Sequence, residues 1–335
     1  MRFHRLYFII HFVFYFLPDF SHGQSLQKYE FITYKMGTSF RLVFYAKDSL
    51  KANLVAEKAF LRINDLNEKL SDYNNESELN KLSRTSGSNV FVPVSDDLWK
   101  VISISLEASK KSDGAFDITA GTYVKLWRRA KRKNQLPVQE ELDNAKESVG
   151  YKKILLDEQT QSVKLTAPNM KLDLGGIAKG YTLDEILKIL QSEGVKSALI
   201  DGGGDILLGD SPPDSEGWKV SIAKDSSSIL NKTLVLSNIS IASSGDLYNF
   251  IEINDVRYSH IVNPKTGLGL TNQITSTIIA KDGITADYLA STLCVMGIKE
   301  GLKLAKRQKI PAIIQEKRGN NTITCQSRQL KSIIN

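Results

Sequence analysis

Between Lys171 and Tyr181 the chain reads KLDLGGIAKGY. Met170 to Leu174 is an extended, largely apolar segment, and it runs into the pair Gly175-Gly176. Apolar residues at Ile177, Leu183, Ile186, Leu187 and Leu190 then follow at helical spacing. The pattern predicts a strand, a glycine turn and a helix start. Such a junction presents backbone N–H groups and the positive end of a helix dipole. Its glycines allow another group to approach the backbone. Lys179 adds a mobile cation and Asp173 a carboxylate beside it. The spacing of a Walker loop and that of a dinucleotide-binding turn are both absent. A phosphate-bearing ligand with a divalent cation would suit the place, and so would an ordinary strand-to-helix turn.

The surrounding chain narrows these alternatives. Its 335 residues suffice for one large domain or two modest ones. With 41% hydrophobic and 24% charged residues, wholesale disorder is excluded. A net charge of +7 favours anionic partners only weakly, since solvated lysines commonly produce such a balance. There are two cysteines, Cys294 and Cys325, and no paired-Cys metal signature; nothing local argues for a disulfide between them. Of four histidines, only His260 lies beyond the leader region, which excludes a poly-His metal site.

That leader is Met1 to Gly23, MRFHRLYFIIHFVFYFLPDFSHG. Arg2 and Arg5 precede an apolar run from Leu6 to Leu17, and Pro18, Ser21 and Gly23 follow. The order predicts a secretory signal peptide over residues 1–23 and an exported, periplasmic or cell-envelope protein beginning near Gln24. The apolar run is short for a membrane span. An uncleaved leader would be the one expected membrane contact, and no cysteine lies there to carry a lipid anchor. Residues 24–335 show no repeat and no low-complexity linker, so a single domain with at most two lobes is expected.

Several stretches carry candidate chemistry. Tyr73 is an aromatic in a polar loop, either packed or a platform for a flat ligand. In Ser112 to Gly121, SDGAFDITAG, a turn accounts for Gly114 but not for Phe116-Asp117. Tyr123 to Lys133, YVKLWRRAKRK, lacks the interleaved aromatics of a single-strand reader, so its charges read as a solvated helix face and nucleic acid is not an expected partner. Triple glycine at Gly202-Gly203-Gly204 demands unusual backbone or a close neighbour. His260 stands in SHIVNPKTG, rich in turn formers. Asp287 and Ser291, four apart on an apolar helix, share one face; they either pair with each other or hold a hard cation through oxygen.

In order along the chain stand MGTSF, LSDYNNESELNKLS, DGAFDIT, LDLGGIAKGY, LIDGGGDIL, ASSGD, YSHIVNPKTG and ADYLASTLCVMG. As an ordered set spanning Met36 to Gly297, they resemble the FAD:protein FMN transferases, the ApbE or Ftp family. The resemblance implies an α+β fold with largely antiparallel sheets flanked by helices and the FAD site between two lobes. It implies Mg2+-dependent transfer of FMN from FAD to a threonine hydroxyl of an acceptor flavoprotein of redox-pump subunit type, with AMP leaving. It places the metal on Asp287, Ser291 and a carbonyl near Gly176. It places FAD against Met36, Tyr73, Ala115, Phe116, Asp117, Asp173 and Lys179, with Tyr73 and Phe116 meeting the rings. It makes His260 the aid to deprotonation of the acceptor hydroxyl, beside Asp287 as a catalytic residue. The chain departs from the family with Ser291 for threonine and Asn263 for a common aspartate. An exported FAD carrier without turnover and a pyrophosphatase giving FMN and AMP are the competing readings.

Overall fold

The computed structural model describes residues 25–221, 233–246 and 249–334. The leader, and the end of a strand expected over Trp218 to Ala223 beyond Ser221, lie outside the described residues. The first hairpin pairs β1 (Gln27–Lys35) with β2 (Thr38–Ala46). Its two-residue turn is Met36-Gly37, with φ of 53° and 72°. Both values are left-handed, as a turn that follows the strand twist requires. Helices α1 (Ser49–Leu70), α2 (Glu78–Arg84) and α3 (Asp96–Lys111) follow, around the short β3 (Val92–Pro93). The side chains of Asp48, Ser77 and Ser95 cap the three helices, each accepting a backbone N–H of the first turn.

Next come α4 (Gly121–Lys133), α5 (Gln139–Lys146) and the hairpin β4 (Ile154–Asp157) with β5 (Ser162–Leu165). Helix α6 (Ala178–Ser192) leads to β6 (Ala198–Gly202), β7 (Ile206–Leu208), β8 (Trp218–Ser221), β9 (Thr233–Leu236) and β10 (Ser240–Gly245). The hairpin β11 (Phe250–Ile253) and β12 (Val256–Ser259) precedes β13 (Ile274–Ala280). Helix α7 (Gly283–Gln308), β14 (Ala312–Arg318), β15 (Asn321–Gln326) and α8 (Arg328–Ile334) complete the chain. The first part of α7 was expected to end at Met296; it runs on to Gln308 across an interruption at Gly297, where φ is 71°.

The main sheet has eight strands in the order β1-β2-β6-β7-β10-β13-β14-β15, every neighbouring pair antiparallel. Alternation of side chains gives it two apolar faces. Phe40, Leu42 and Phe44 of β2 lie with Ile200 and Leu207 beneath α1 and α6. Ile274 and Ile278 of β13 and Ile314 of β14 lie beneath α7, against Leu289 and Leu293. The opposite face carries Val43, Leu208, Ile241, Ile279 and Ile313, covered by Trp218, Leu234 and Leu330. The α+β expectation with antiparallel sheets is met.

Two local expectations are corrected. Met170 to Leu174 is extended but joins no ladder; its ties are an isolated parallel bridge between Ala120 and Lys171 and the N–H of Asp173 on the Ile118 carbonyl at 2.8 Å. The segment threads between α4 and α6 with its apolar residues Met170, Leu172 and Leu174 fully buried, so packing rather than pairing holds it straight. The glycine junction also has few spare donors. The Gly175 N–H is taken by the Asp173 carboxylate at 2.7 Å, and those of Ile177 and Ala178 by the Leu174 carbonyl at 3.0 and 2.8 Å.

A buried ionic knot joins α1, α3 and α6. Asp97 accepts from Arg62 at 2.9 Å, Lys69 at 2.8 Å and the Tyr181 hydroxyl at 2.6 Å. Against the effect of burial, these donors hold its carboxyl well below the usual range. Helices α6 and α7 meet backbone to backbone. A Cβ on Gly180 would stand 2.2 Å from the Gly283 carbonyl oxygen, and one on Gly283 would stand 2.4 Å from that of Gly180. Gly180→Ala is therefore expected to push the helices apart and lower stability by about 2–3 kcal/mol, read as a lowered urea midpoint; an unchanged midpoint would refute the contact.

Candidate active site

A cleft of about 540 Å³ opens between the β1–β2 turn, the loop after α1, the inner face of α4, the start of α6 and the β11–β12 hairpin. Met36, Tyr73, Ala115, Phe116, Asp117 and Asp173 line it, as do Gly176, Lys179, His260 and Ser291. Of the sequence candidates only Asp287 is not on its wall; it lies just beneath, 2% exposed.

The floor is a charge cluster. The Lys179 ammonium donates to Asp205 at 2.5 Å and to Asp287 at 3.3 Å. The other Asp287 oxygen accepts the Gly180 N–H at 2.9 Å. Lys179 is thus pinned, not the mobile cation expected from its place in the sequence. Burial would strip its proton, but the two carboxylates outweigh that and hold it above its ordinary range. Asp205 is pushed up to about 6, by burial first and then by the charge of Asp287, with Lys179 opposing. Two buried carboxylates against one ammonium leave the floor short of positive charge.

That deficit is the test of whether a cation suits the site, and the donor set passes it. Asp287 and Ser291 do not bond each other; Ser291 shares a hydrogen bond with Ser244 at 3.1 Å. A Cβ on Gly176 would stand 3.3 Å from the Ser291 hydroxyl, so the glycine backbone and that hydroxyl abut. One carboxylate, one hydroxyl and one carbonyl oxygen are hard ligands of the kind magnesium takes. Among the described residues no group of three or more His, Cys, Asp or Glu could hold a metal, so any cation here depends on the neutral oxygens.

His260 follows β12 and is exposed to the cleft. Its Nδ1 lies 3.1 Å from the Asn249 carbonyl oxygen, which also accepts the His260 backbone N–H at 3.0 Å. A carbonyl only accepts, so Nδ1 carries the hydrogen and Nε2 presents a lone pair. Desolvation, then the positive charges of Lys131 and Lys179, hold the ring below its ordinary value, with the Asn249 contact opposing. These surroundings favour the neutral imidazole. Asn249 is steadied in turn by Lys131, whose ammonium reaches its side-chain oxygen at 2.7 Å.

The remaining candidates divide. Tyr73 is 78% exposed, with the Arg128 guanidinium 4.0 Å from its ring centre. Arg128 donates to Asp72 at 2.5 Å and to Asp173 at 3.4 Å. Asp173 is pushed up to about 6, by burial and then by Asp72, with the Gly175 N–H and Arg128 opposing. Phe116 is only 7% exposed, its ring 5.7 Å from that of Tyr288. The Asp117 carboxylate turns inward, accepting from the Thr119 N–H and hydroxyl and from the Tyr151 N–H at 2.6–2.8 Å. It braces the loop and has no evident oxygen to spare for a ligand. Asn263 likewise caps a turn, accepting the Lys265 N–H at 2.9 Å.

Asp72, Asp205, Arg128, Lys131 and Asn249 were not anticipated as site residues. The basic helix was expected to be solvated; Lys125, Arg132 and Lys133 are, but Val124, Trp127, Arg128 and Lys131 line the cleft. Their i, i+3, i+4, i+7 spacing marks a single helix face and was the signal available. For Asp205, the signal was its place after three glycines. Gly203 and Gly204 have φ of 76° and 102°, and a Cβ on Gly203 would strike the Thr38 hydroxyl at 2.0 Å, so the turn folds tightly and aims Asp205 inward.

Known proteins share this fold. Residues 36–314 match the family model described as the ApbE family. The chain is 30% identical over 285 residues to the FAD:protein FMN transferase of Vibrio cholerae, covering 83% of this chain and 84% of that protein. It is 28% identical over 310 residues to the protein of the same name from Haemophilus influenzae, covering 89% of each. Among solved structures, a point mutant of the flavin transferase ApbE from Vibrio cholerae superposes with a TM-score of 0.83 at 27% identity, over 92% of this chain and 99% of that one. With the family model spanning most of its length and the fold in agreement, the chain belongs to the ApbE family.

Proposed function

We propose that the chain is an FAD:protein FMN transferase, moving FMN from FAD to a threonine hydroxyl of an acceptor flavoprotein with release of AMP. The shared name of its relatives supports the reaction class. The observation that carries it to this chain is the cleft itself, where a neutral histidine faces the space above a buried Lys179–Asp205–Asp287 cluster. The acceptor oxygen would attack the phosphorus on the riboflavin side of the diphosphate. The bond from that phosphorus to the bridging oxygen breaks, AMP carries away the electron pair, and the hydroxyl proton passes to Nε2 of His260.

The chain's own groups serve this step in distinct ways. Lys179 places a fixed positive charge at the floor, at no reorganisation cost because Asp205 and Asp287 hold it. The Asn249 carbonyl sets the imidazole tautomer that can accept the proton. Met36, Tyr73, the Ala115-Phe116-Asp117 backbone and Asp173 shape the wall on which FAD rests. Asp287, Ser291 and the carbonyl near Gly176 are the residues that would hold Mg2+, which when bound supplies Lewis-acid neutralisation of the diphosphate. The leader pattern of residues 1–23 supports an exported enzyme with an acceptor outside the cytoplasm.

The test is purified protein incubated with FAD, Mg2+ and a threonine-containing acceptor domain, followed by in-gel flavin fluorescence. A covalently labelled acceptor is expected; free FMN and AMP without label would assign the pyrophosphatase activity, and FAD bound without turnover would assign a carrier. Asp287→Ala is expected to lower transfer about a thousandfold while the protein stays folded, since Asp205 remains to pair with Lys179. A variant with full Mg2+-dependent activity would overturn the metal assignment.

The pH profile tests His260. The base form is the neutral ring, and burial holds its pKa below the ordinary value, so transfer should be flat at neutral pH and fall only in the more acid range where the ring gains a proton. His260→Ala should slow transfer about 10²- to 10⁴-fold and shrink the acidic limb to what Asp173 and Asp205, each pushed up to about 6, contribute, with FAD affinity nearly unchanged. Loss of FAD affinity with turnover intact at saturation would count against the proton-transfer role.

A further inference from the structure

Two aromatic rings lining the cleft are built alike. Tyr73 lies under Arg128, which Asp72 holds. Phe250, the first residue of β11, lies under Arg257, whose guanidinium carbon is 3.5 Å from the ring centre. Arg257 is fixed in turn by Asp246, its Nε donating to the carboxylate at 3.0 Å and its Nη2 to the backbone carbonyl at 2.5 Å. Asp246 is 2% exposed, so this anchor is part of the interior. An arginine locked by a carboxylate against one face of a ring fixes the ring's plane and leaves the other face for stacking.

The sequence candidate for the second platform, Phe116, is spent against Tyr288 and is nearly inaccessible. Phe250 is half-buried and lines the cleft. FAD is a ligand with a charged diphosphate centre and a flat ring system at each end. The cleft offers the Lys179 ammonium at its floor and two arginine-backed rings. We propose that Phe250, set by Arg257 and Asp246, is a second ring platform, and that Phe250 and Tyr73 take the two ring systems of FAD, one each. The inference deepens the transferase reading and rests on it. Phe250 touches substrate in this account; Arg257 and Asp246 are positioning residues that act through it.

Calorimetric titration of the full chain with FAD, FMN and ADP separates the two ends of the ligand. Phe250→Leu keeps an apolar side chain and removes the ring. It is expected to weaken FAD binding roughly 10- to 100-fold, together with one of FMN or ADP, and to leave the other within about twofold. Tyr73→Leu is expected to spare the half that Phe250→Leu loses and to lose the half it spares. Phe250→Trp should restore binding, and Arg257→Gln should weaken the same half as Phe250→Leu by a smaller factor. The proposal is overturned if Phe250→Leu leaves all three ligands unchanged, if it weakens FMN and ADP alike, or if both leucine variants lose the same half. In each of those cases wild-type binding of FAD leaves the transferase reading standing, whereas a wild-type protein that ignores FAD overturns both.

Discussion

A single buried ammonium shared by two carboxylates organises this molecule. Lys179 comes from the first turn of α6, Asp205 from the turn between β6 and β7, and Asp287 from α7. None of the three has another partner that could balance its charge, so each element must sit where the others require. Removing Lys179 would leave two buried carboxylates uncompensated, a loss that typically costs about 3–5 kcal/mol, whereas either carboxylate can go and leave a paired ammonium. The imbalance of two negatives against one positive is chemically useful. It leaves a net negative charge beneath the cleft, and it keeps Lys179 protonated at any physiological pH.

The second organising constraint is the construction of the walls from short polar relays. Lys131 steadies Asn249, and Asn249 sets the tautomer of His260. Arg128 braces Tyr73 and is braced by Asp72. Asp117 spends its carboxylate on the loop that carries Ala115 and Phe116. In each relay a group with no role in chemistry determines how a neighbour faces the cleft. The site is therefore rigid in its polar parts, and side chains that look redundant at the surface are positional in effect.

Much of this was legible in the chain and some was not, for physical reasons. The helices α1, α3 and α6 were readable because apolar spacing acts within a few residues, and α3 also through its cap, Ser95 before Asp96-Asp97. The ordered motifs contained the β1–β2 turn, the loop after α1, the start of α6 and the His260 segment, but not the walls from α4 and β11. What could not be read was tertiary pairing. KLDLGGIAKGY carries the marks of a strand entering a helix, but whether Met170 to Leu174 finds a ladder partner depends on α4, fifty residues earlier. The spare N–H groups expected at the glycine turn were claimed by Asp173 and Leu174, because short loops satisfy their own donors when they can. Phe116 was expected to meet a ring of FAD from the family resemblance; its partner Tyr288 lies far along the chain. Arg128 and Lys131 were hidden in a charge run of which Lys125, Arg132 and Lys133 are solvated.

The contact between Gly180 and Gly283 has a consequence for how this architecture can vary. With no side chain between the two helix backbones, their separation is already the shortest that atomic radii allow. Any replacement at either position can only widen it, and widening withdraws Asp287 from the Gly180 amide. Natural drift in this lineage therefore has no graded way to retune the floor through helix spacing. Adjustment of the site is left to side chains on the cleft wall such as Ser291, with the helix pair as a fixed gauge block.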